Sequence, residues 1–384
     1  MNFPGVVCFA GRGGNRPTRF PPRLVWVAGW FFSLWAARAR GENHLDYRYE
    51  YYAEENKRIT VHTHSVYFEQ RLIESIAAKG ELIYDGISGA TPTGAKPGAS
   101  GRVPMIPMRD FRHAGNLALD GKWGPQTLTP GFAYSKESDY ESYGISLNDA
   151  VEFNEKNTIV QLGGSHDFDR VLDNGSPRTN HPKDATEVMV GVSQLLSPKT
   201  IFAANLTYGN EYGYLSDPYR IATFDLFGFA FPERRPGHKS KEVFLVSLTQ
   251  SIGPLHASIE GSYRFHHDSY DIFSHTGMLT WHQRIGKHVL VEPRFRFYDQ
   301  TAAAFYATSF PGLSPPASGF YSADYRLSQL YSLDFGVQLT VMVTDWLHLN
   351  AGYHRYEMYG RDHQTAAGMY PKADIVKLGV QLWF

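Results

Sequence analysis

Residues 331–344 alternate between two faces. Tyr331, Leu333, Phe335, Val337, Leu339, Val341 and Val343 share one parity; Ser332, Asp334, Gly336, Gln338, Thr340, Met342 and Thr344 share the other. Successive side chains of a strand point to opposite sides, so this stretch reads as a long strand with one apolar face. Strands of water-soluble sheets run to about five or six residues. A strand that crosses a membrane at a tilt needs about 9–11. The feature therefore points to a wall with lipid on one side and something polar on the other.

The pattern recurs. Leu255, Ala257, Ile259, Gly261, Tyr263 and Phe265 alternate with His256, Ser258, Glu260, Ser262, Arg264 and His266. Val289, Val291, Phe295 and Phe297 alternate with Glu292, Arg294 and Arg296. Leu347, Leu349, Ala351 and Tyr353 alternate with His348, Asn350, Gly352 and His354, and Phe202, Ala204, Leu206 and Tyr208 with Ala203, Asn205 and Thr207. Aromatics gather toward strand ends, where interfacial girdles belong.

The links between these segments take turns. Short ones fall near 124–125, 154–157, 197–199, 253–254, 286–287 and 344–346; longer polar ones cover 86–110, 170–183, 213–239, 300–325 and 360–372. In an up-and-down antiparallel barrel this places tight turns on the periplasmic side and long loops outside. The spacing predicts an all-β transmembrane barrel of about 16 strands, with 14 as the second count, and three strands between Leu45 and Asp85. An open edge cannot be satisfied in hydrocarbon, so the sheet must close. The final segment suits that closure: Val376, Leu378, Val380, Leu382 and Phe384 face one way, and Ile375, Lys377, Gly379, Gln381 and Trp383 the other.

Composition agrees. Aromatics make up 15% of the 384 residues, yet mean hydropathy is only −0.35, as expected when every second strand residue meets lipid. The formal net charge of −1 argues against a nucleic-acid surface. Arg12, Arg16, Arg19 and Arg23 precede the apolar run from Leu24 to Ala37, and Ala37-Arg38-Ala39 supplies small residues at a cleavage site. That arrangement predicts a secretory signal over 1–39 and a single barrel domain over 40–384; a short membrane anchor is the alternative. The one cysteine, Cys8, falls in the leader, so no thiol chemistry is expected of the exported chain.

Several stretches resemble the bacterial family called domain of unknown function 3570 (DUF3570): YDGISGATPTGA (84–95), FAYSKESDYESYGISLNDAVEFNEKNT (132–158), QLLSPKTIFAANLTYGNEYGYLSDPYR (194–220), YRFHHDSYDIFSHT (263–276), YSADYRLSQLYS (321–332) and VTDWLHLNAGYHRYEMYG (343–360). The resemblance implies an outer-membrane barrel and carries over no catalytic residue. The ending KLGVQLWF also resembles the signal read by the outer-membrane assembly machinery, through Lys377, Gly379, Leu382 and Phe384. Outer-membrane lipid and that machinery are the expected partners, with a periplasmic redox-type protein as a further one.

No HExxH, GxSxG or EF-hand pattern is present, and neither a catalytic residue nor a cofactor is expected. The segment 89–96 misses a phosphate loop by the Gly before Lys96 and the hydroxyl after it. His266, His267, Asp268 and Asp271, with His275 nearby, have the residue types of a metal site and equally those of a solvated hairpin tip. His62 and His64 share a strand face and read either as lumen-lining residues or, equally with the tip residues, as ordinary hydrogen-bonded polar groups. His166-Asp167 and Asp362-His363 are the pairs a rim hydrolase would use.

The expected inward set is more telling. Glu260, Arg264, His266, His282, Arg284, Glu292, Arg294 and Arg296 come from three successive strands and would meet inside the wall. They read as a mixed-charge lining that sets the field on a passing solute, or as paired charges bracing a filled lumen. The sequence thus favours a channel or transport barrel for small polar solutes or ions. A partner-holding sheath and an outer-membrane enzyme are the alternatives.

Overall fold

The computed structural model describes residues 43–384 apart from Ala99, Asn174 and Ser176. The expected export segment, 1–39, lies outside the described residues. The chain is built of strands: β1 (His44–Glu54), β2 (Thr60–Ile73), β3 (Ile76–Pro92), β4 (Met105–Trp123), β5 (Gln126–Lys136) and β6 (Tyr140–Phe153). They are followed by β7 (Thr158–Leu172), β8 (Asn180–Ser197), β9 (Thr200–Gly213), β10 (Ile221–Phe224), β11 (Phe229–Pro232) and β12 (His238–Ile252). The last are β13 (Ala257–Asp268), β14 (Phe273–Ile285), β15 (Val289–Gln300), β16 (Leu330–Met342), β17 (Leu347–Gly360) and β18 (Lys372–Trp383).

Sixteen of these close into one antiparallel barrel in sequence order, with β9 beside β12 and β18 beside β1; β10 and β11 form a separate hairpin. At the seam Tyr49 sits opposite Leu378 and Tyr47 opposite Val380. Backbone bonds between Asn43 and Phe384 continue the pairing past the last rung. Each strand therefore has two partners, which is the only sheet arrangement that leaves no unpaired edge in lipid.

Exposed side chains show which face is outside. Leu82, Leu117, Phe132, Ile145, Leu162, Val190, Leu206, Phe244, Leu279, Phe335 and Leu378 all project outward and remain exposed. This belt runs around the wall, as a barrel immersed in hydrocarbon requires. No helix among the described residues is long and apolar enough to cross a membrane. At up to 19 residues, in β4, the strands exceed the crossing length and rise above the lipid on the long-loop side. There the outward face turns polar: Arg355 pairs with Glu357 at 3.1 Å and Asp374 at 3.2 Å, and also with Glu55.

The strand count and the alternation of link lengths match expectation, but several loops are shorter than the sequence suggests, while the expected 300–325 becomes 301–329. The expected loop 86–110 shrinks to 93–104 because β3 continues to Pro92 and β4 begins at Met105. Above the lipid a strand no longer needs an apolar outer face, so its alternation fades before its hydrogen bonds do. The segment 89–96 accordingly starts on a strand and is no phosphate loop.

Candidate functional site: the lumen and its loop cap

The inner wall is built by the residues of opposite parity to the belt. On β13 to β15 it carries Glu260, Arg264, His266, His282, Arg284, Glu292, Arg294 and Arg296, as the alternation requires. His282 bridges the two acids, with Nδ1 2.6 Å from Glu292 and Nε2 3.9 Å from Glu260. Arg294 reaches Asp334 at 3.5 Å, and His354 meets the same carboxylate at 3.1 Å. Glu260 keeps 37% of its side chain open and Arg294 24%. These groups line accessible space.

Arg264 and Arg296 stand apart from this pairing. Arg264 is opposite Thr276, which is opposite Tyr298, one inward position from Arg296. Asp334 is directly across from Arg296 in register but is taken up by Arg294 and His354. Among the described residues neither Arg264 nor Arg296 has a carboxylate within 4.0 Å. Arg296 instead lies 5.5 Å from the ring centroid of Tyr298, a cation–π contact.

The arc from β5 to β9 is different. Its inward mid-height positions include Gly131, Ser146, Asn148, Gly163, Gly191 and Asn205. A Cβ at Gly131 would lie 2.6 Å from Ser146 Oγ, and one at Gly163 would lie 2.5 Å from Asn148 Oδ1. Each of these glycines thus lets the polar side chain opposite lie flat over it, giving a low relief, and toward the outer rim Asp167 lies over Gly144 in the same way.

Above the lumen the long loops interlock. The β10–β11 hairpin lies in loop 214–237 and packs Phe224 against Tyr321 and Ala323 of loop 301–329. Backbone bonds join these loops directly, Arg234 N to Tyr321 O at 3.0 Å and Phe310 N to Thr223 O at 2.9 Å. Ile221 N donates to Thr93 O at 2.9 Å, so the same unit reaches loop 93–104, with β5 to β8 between the two anchor points. The cap also engages loop 361–371, through Ser328 and Tyr370 at 2.7 Å. Arg58, in the 55–59 link between β1 and β2, ties that link to loop 361–371 by donating to the carbonyls of Gly368 and Met369 at 3.0 Å.

A buried charge cluster holds the two longest loops together. Arg235 contacts Glu233 at 2.7 Å and Asp324 at 2.8 Å. Arg220 approaches Asp217 at 3.4 Å and Asp324 at 3.7 Å, and Arg326 binds both Asp217 and Asp324. Three guanidiniums thus face three carboxylates. Burial alone would raise the Asp324 carboxyl, but the guanidiniums of Arg326, Arg220 and Arg235 hold it well below the usual carboxylate range.

The model of the family described as "Protein of unknown function (DUF3570)" matches residues 33–181 and 172–377. The chain belongs to the DUF3570 family. No curated protein matches it. Among solved structures, the DUF3570 barrel is similar to a bacterial polysaccharide outer membrane secretin, at 9% identity and a TM-score of 0.49, covering 90% of this chain and 100% of that one. It is also similar to the in-vitro folded OmpT of Vibrio cholerae in its trimer form, at 10% identity and a TM-score of 0.45, covering 90% and 100%. Pseudomonas aeruginosa OccK8 (OprE) gives 9% and 0.45, covering 90% and 98%.

In this DUF3570 barrel the other sequence candidates separate. His266 and His267 point to opposite faces of β13: His266 reaches Asp268 at 3.3 Å, whereas His267 bonds Glu242 at 2.8 Å on the outer wall. Asp268 meets Lys239 at 3.2 Å and accepts from the amides of Tyr270 and Ile272, so its carboxylate shapes the hairpin tip. Asp271 lies in that tip at φ 63°. His62 and His64 face outward, contrary to the lumen assignment. They share a face with the exposed Val66, and each ring nitrogen is 2.8 Å from a tyrosine hydroxyl, His62 with Tyr49 and His64 with Tyr47. His166 and Asp167 likewise project to opposite sides of β7, the histidine beside Thr186 at 2.7 Å. Asp362 spends its carboxylate on the amides of Gln364 and Thr365.

At the chain end, Lys377 faces the lumen and pairs with Glu50 at 3.0 Å. Gly379 follows inward, opposite Arg48, and Leu382 lies opposite Leu45.

Proposed function

We propose that this barrel is a gated outer-membrane channel for small polar solutes or ions, with anions favoured. The supporting observation is the pair Arg264 and Arg296, two guanidiniums without a carboxylate partner on an accessible inner wall. A sixteen-strand barrel encloses a lumen wide enough for an aqueous path unless loops fill it. Unneutralised positive charge in that path attracts anions and repels cations. The interlocked loops supply the gate: a solute enters from outside only after the cap has loosened.

The test is single-channel recording of the refolded chain in planar bilayers under a potassium chloride gradient. Discrete current steps with a reversal potential on the anion side support the reading. Arg264→Glu with Arg296→Glu should move that potential toward cations. Electrical silence of folded wild type and of a variant with its loop cluster broken, Asp324→Asn, overturns it.

A further inference from the structure

A second group of charges sits at the outer rim, away from the lumen arginines. Asp110 lies on the inward face of β4, and Glu137 and Asp139 lie in the 137–139 link between β5 and β6. One oxygen from each of the three is within 4.8 Å of the other two. Asp110 and Asp139 each keep only 4% of their surface exposed.

The surroundings supply few donors and no cation in direct contact, the charges of Arg112 and Arg178 acting on Glu137 and Asp139 from further off. Asp110 accepts from Ser138 Oγ at 2.9 Å and Ser138 N at 3.3 Å, and from the amide of Phe111 at 2.7 Å. Asp139 Oδ2 accepts the hydroxyl of Tyr219. Its Oδ1, and Oε2 of Glu137, are fully buried and reach no donor. Among the described residues no Lys, Arg or His lies within 4.0 Å of these three carboxylates. The guanidinium of Arg112 is bound to Asp85 at 2.6 Å instead. Buried carboxylates without partners are retained at a cost unless protons or a metal neutralise them.

We propose that Asp110, Glu137 and Asp139 form a calcium site. The donor set is all oxygen and all anionic, which selects a hard divalent cation. Calcium is built into cages of several protein oxygens, whereas magnesium keeps several waters and usually takes one or two carboxylates, so three carboxylates brought together favour the larger ion. Because Asp139 also receives Tyr219, the ion ties the barrel rim to loop 214–237. Calcium is thereby a fastener of the cap, whatever the barrel passes.

The test is calorimetric titration of calcium chloride into chelator-treated, refolded chain in a non-ionic detergent, with heat-modifiability on a gel as the check of folding. One saturable site is expected, with magnesium chloride at least tenfold weaker. Asp139→Asn and Glu137→Gln should each weaken calcium at least tenfold. Glu137 accepts no hydrogen bond among the described residues, so its variant serves if Asp139→Asn does not fold. No saturable uptake by wild type at millimolar calcium, or equal uptake by wild type and a folded variant, overturns the site. The readout is independent of conductance, so a silent barrel that binds calcium defeats the channel and leaves this site standing.

Discussion

The amide of Ile221 donates to the carbonyl of Thr93 at 2.9 Å, joining loops whose strands are separated by four others. A bond between such distant anchor points lies over the mouth rather than along its rim. If the mouth must open, this contact must break. Cysteines at 93 and 221, bridged by a short bifunctional thiol reagent, should abolish conductance. Without the reagent the same variant should conduct. The native Cys8 is the sole competing thiol in the sequence, which keeps the readout clean.

Asp324 is shared by Arg220, Arg235 and Arg326. Removing one charge from a buried network costs about 3–5 kcal/mol, because its partners are left uncompensated. Asp324→Asn should therefore raise the open fraction in single-channel records by two orders of magnitude or more. The barrel itself, held by strand pairing, should keep its heat-modifiability. A closed fraction equal to wild type would show that the cluster does not hold the gate.

Filling the low-relief arc should narrow the path. At Gly163 a new Cβ displaces the end of the Asn148 side chain, a flexible neighbour, so overpacking should cost about 1–3 kcal/mol. Gly163→Leu is expected to lower unitary conductance and to leave ion selectivity unchanged. An undiminished conductance would place the path elsewhere.

His62→Leu and His64→Leu test the outward assignment. Each loses one hydrogen bond to tyrosine, worth about 0.5–1.5 kcal/mol, and gains an apolar group on the outer wall. Conductance and selectivity should not change. Any shift in reversal potential would return these residues to the lumen.

The architecture was legible because period-two alternation is local: each strand declares its own two faces within a few residues. The inward set on β13 to β15 followed directly. Where both faces of a strand carry apolar groups the rule loses its grip, and β2 is the example. Val61 and Tyr67 lie on one face, Val66 and Phe68 on the other, so parity alone did not place His62 and His64. The cap was not legible, since Phe224, Phe310 and Tyr321 meet across nearly a hundred residues of chain with no period to announce them. The Asp110, Glu137 and Asp139 group escaped for the same reason. Glu137 and Asp139 stand two apart in a polar link, and Asp110 joins them only once β4 and β5 are paired.

The flat arc of β5 to β9 has a further consequence. The guanidiniums of β13 and β15 and the amides and hydroxyls of β5 to β9 face the same lumen from different sides. An elongated solute in the proposed channel would have unlike neighbours on its two flanks, guanidiniums to one side and amides and hydroxyls to the other. On the channel proposal, such a passage would sort molecules by how their charge is distributed along their length, and two isomers of equal size and net charge would travel at different rates.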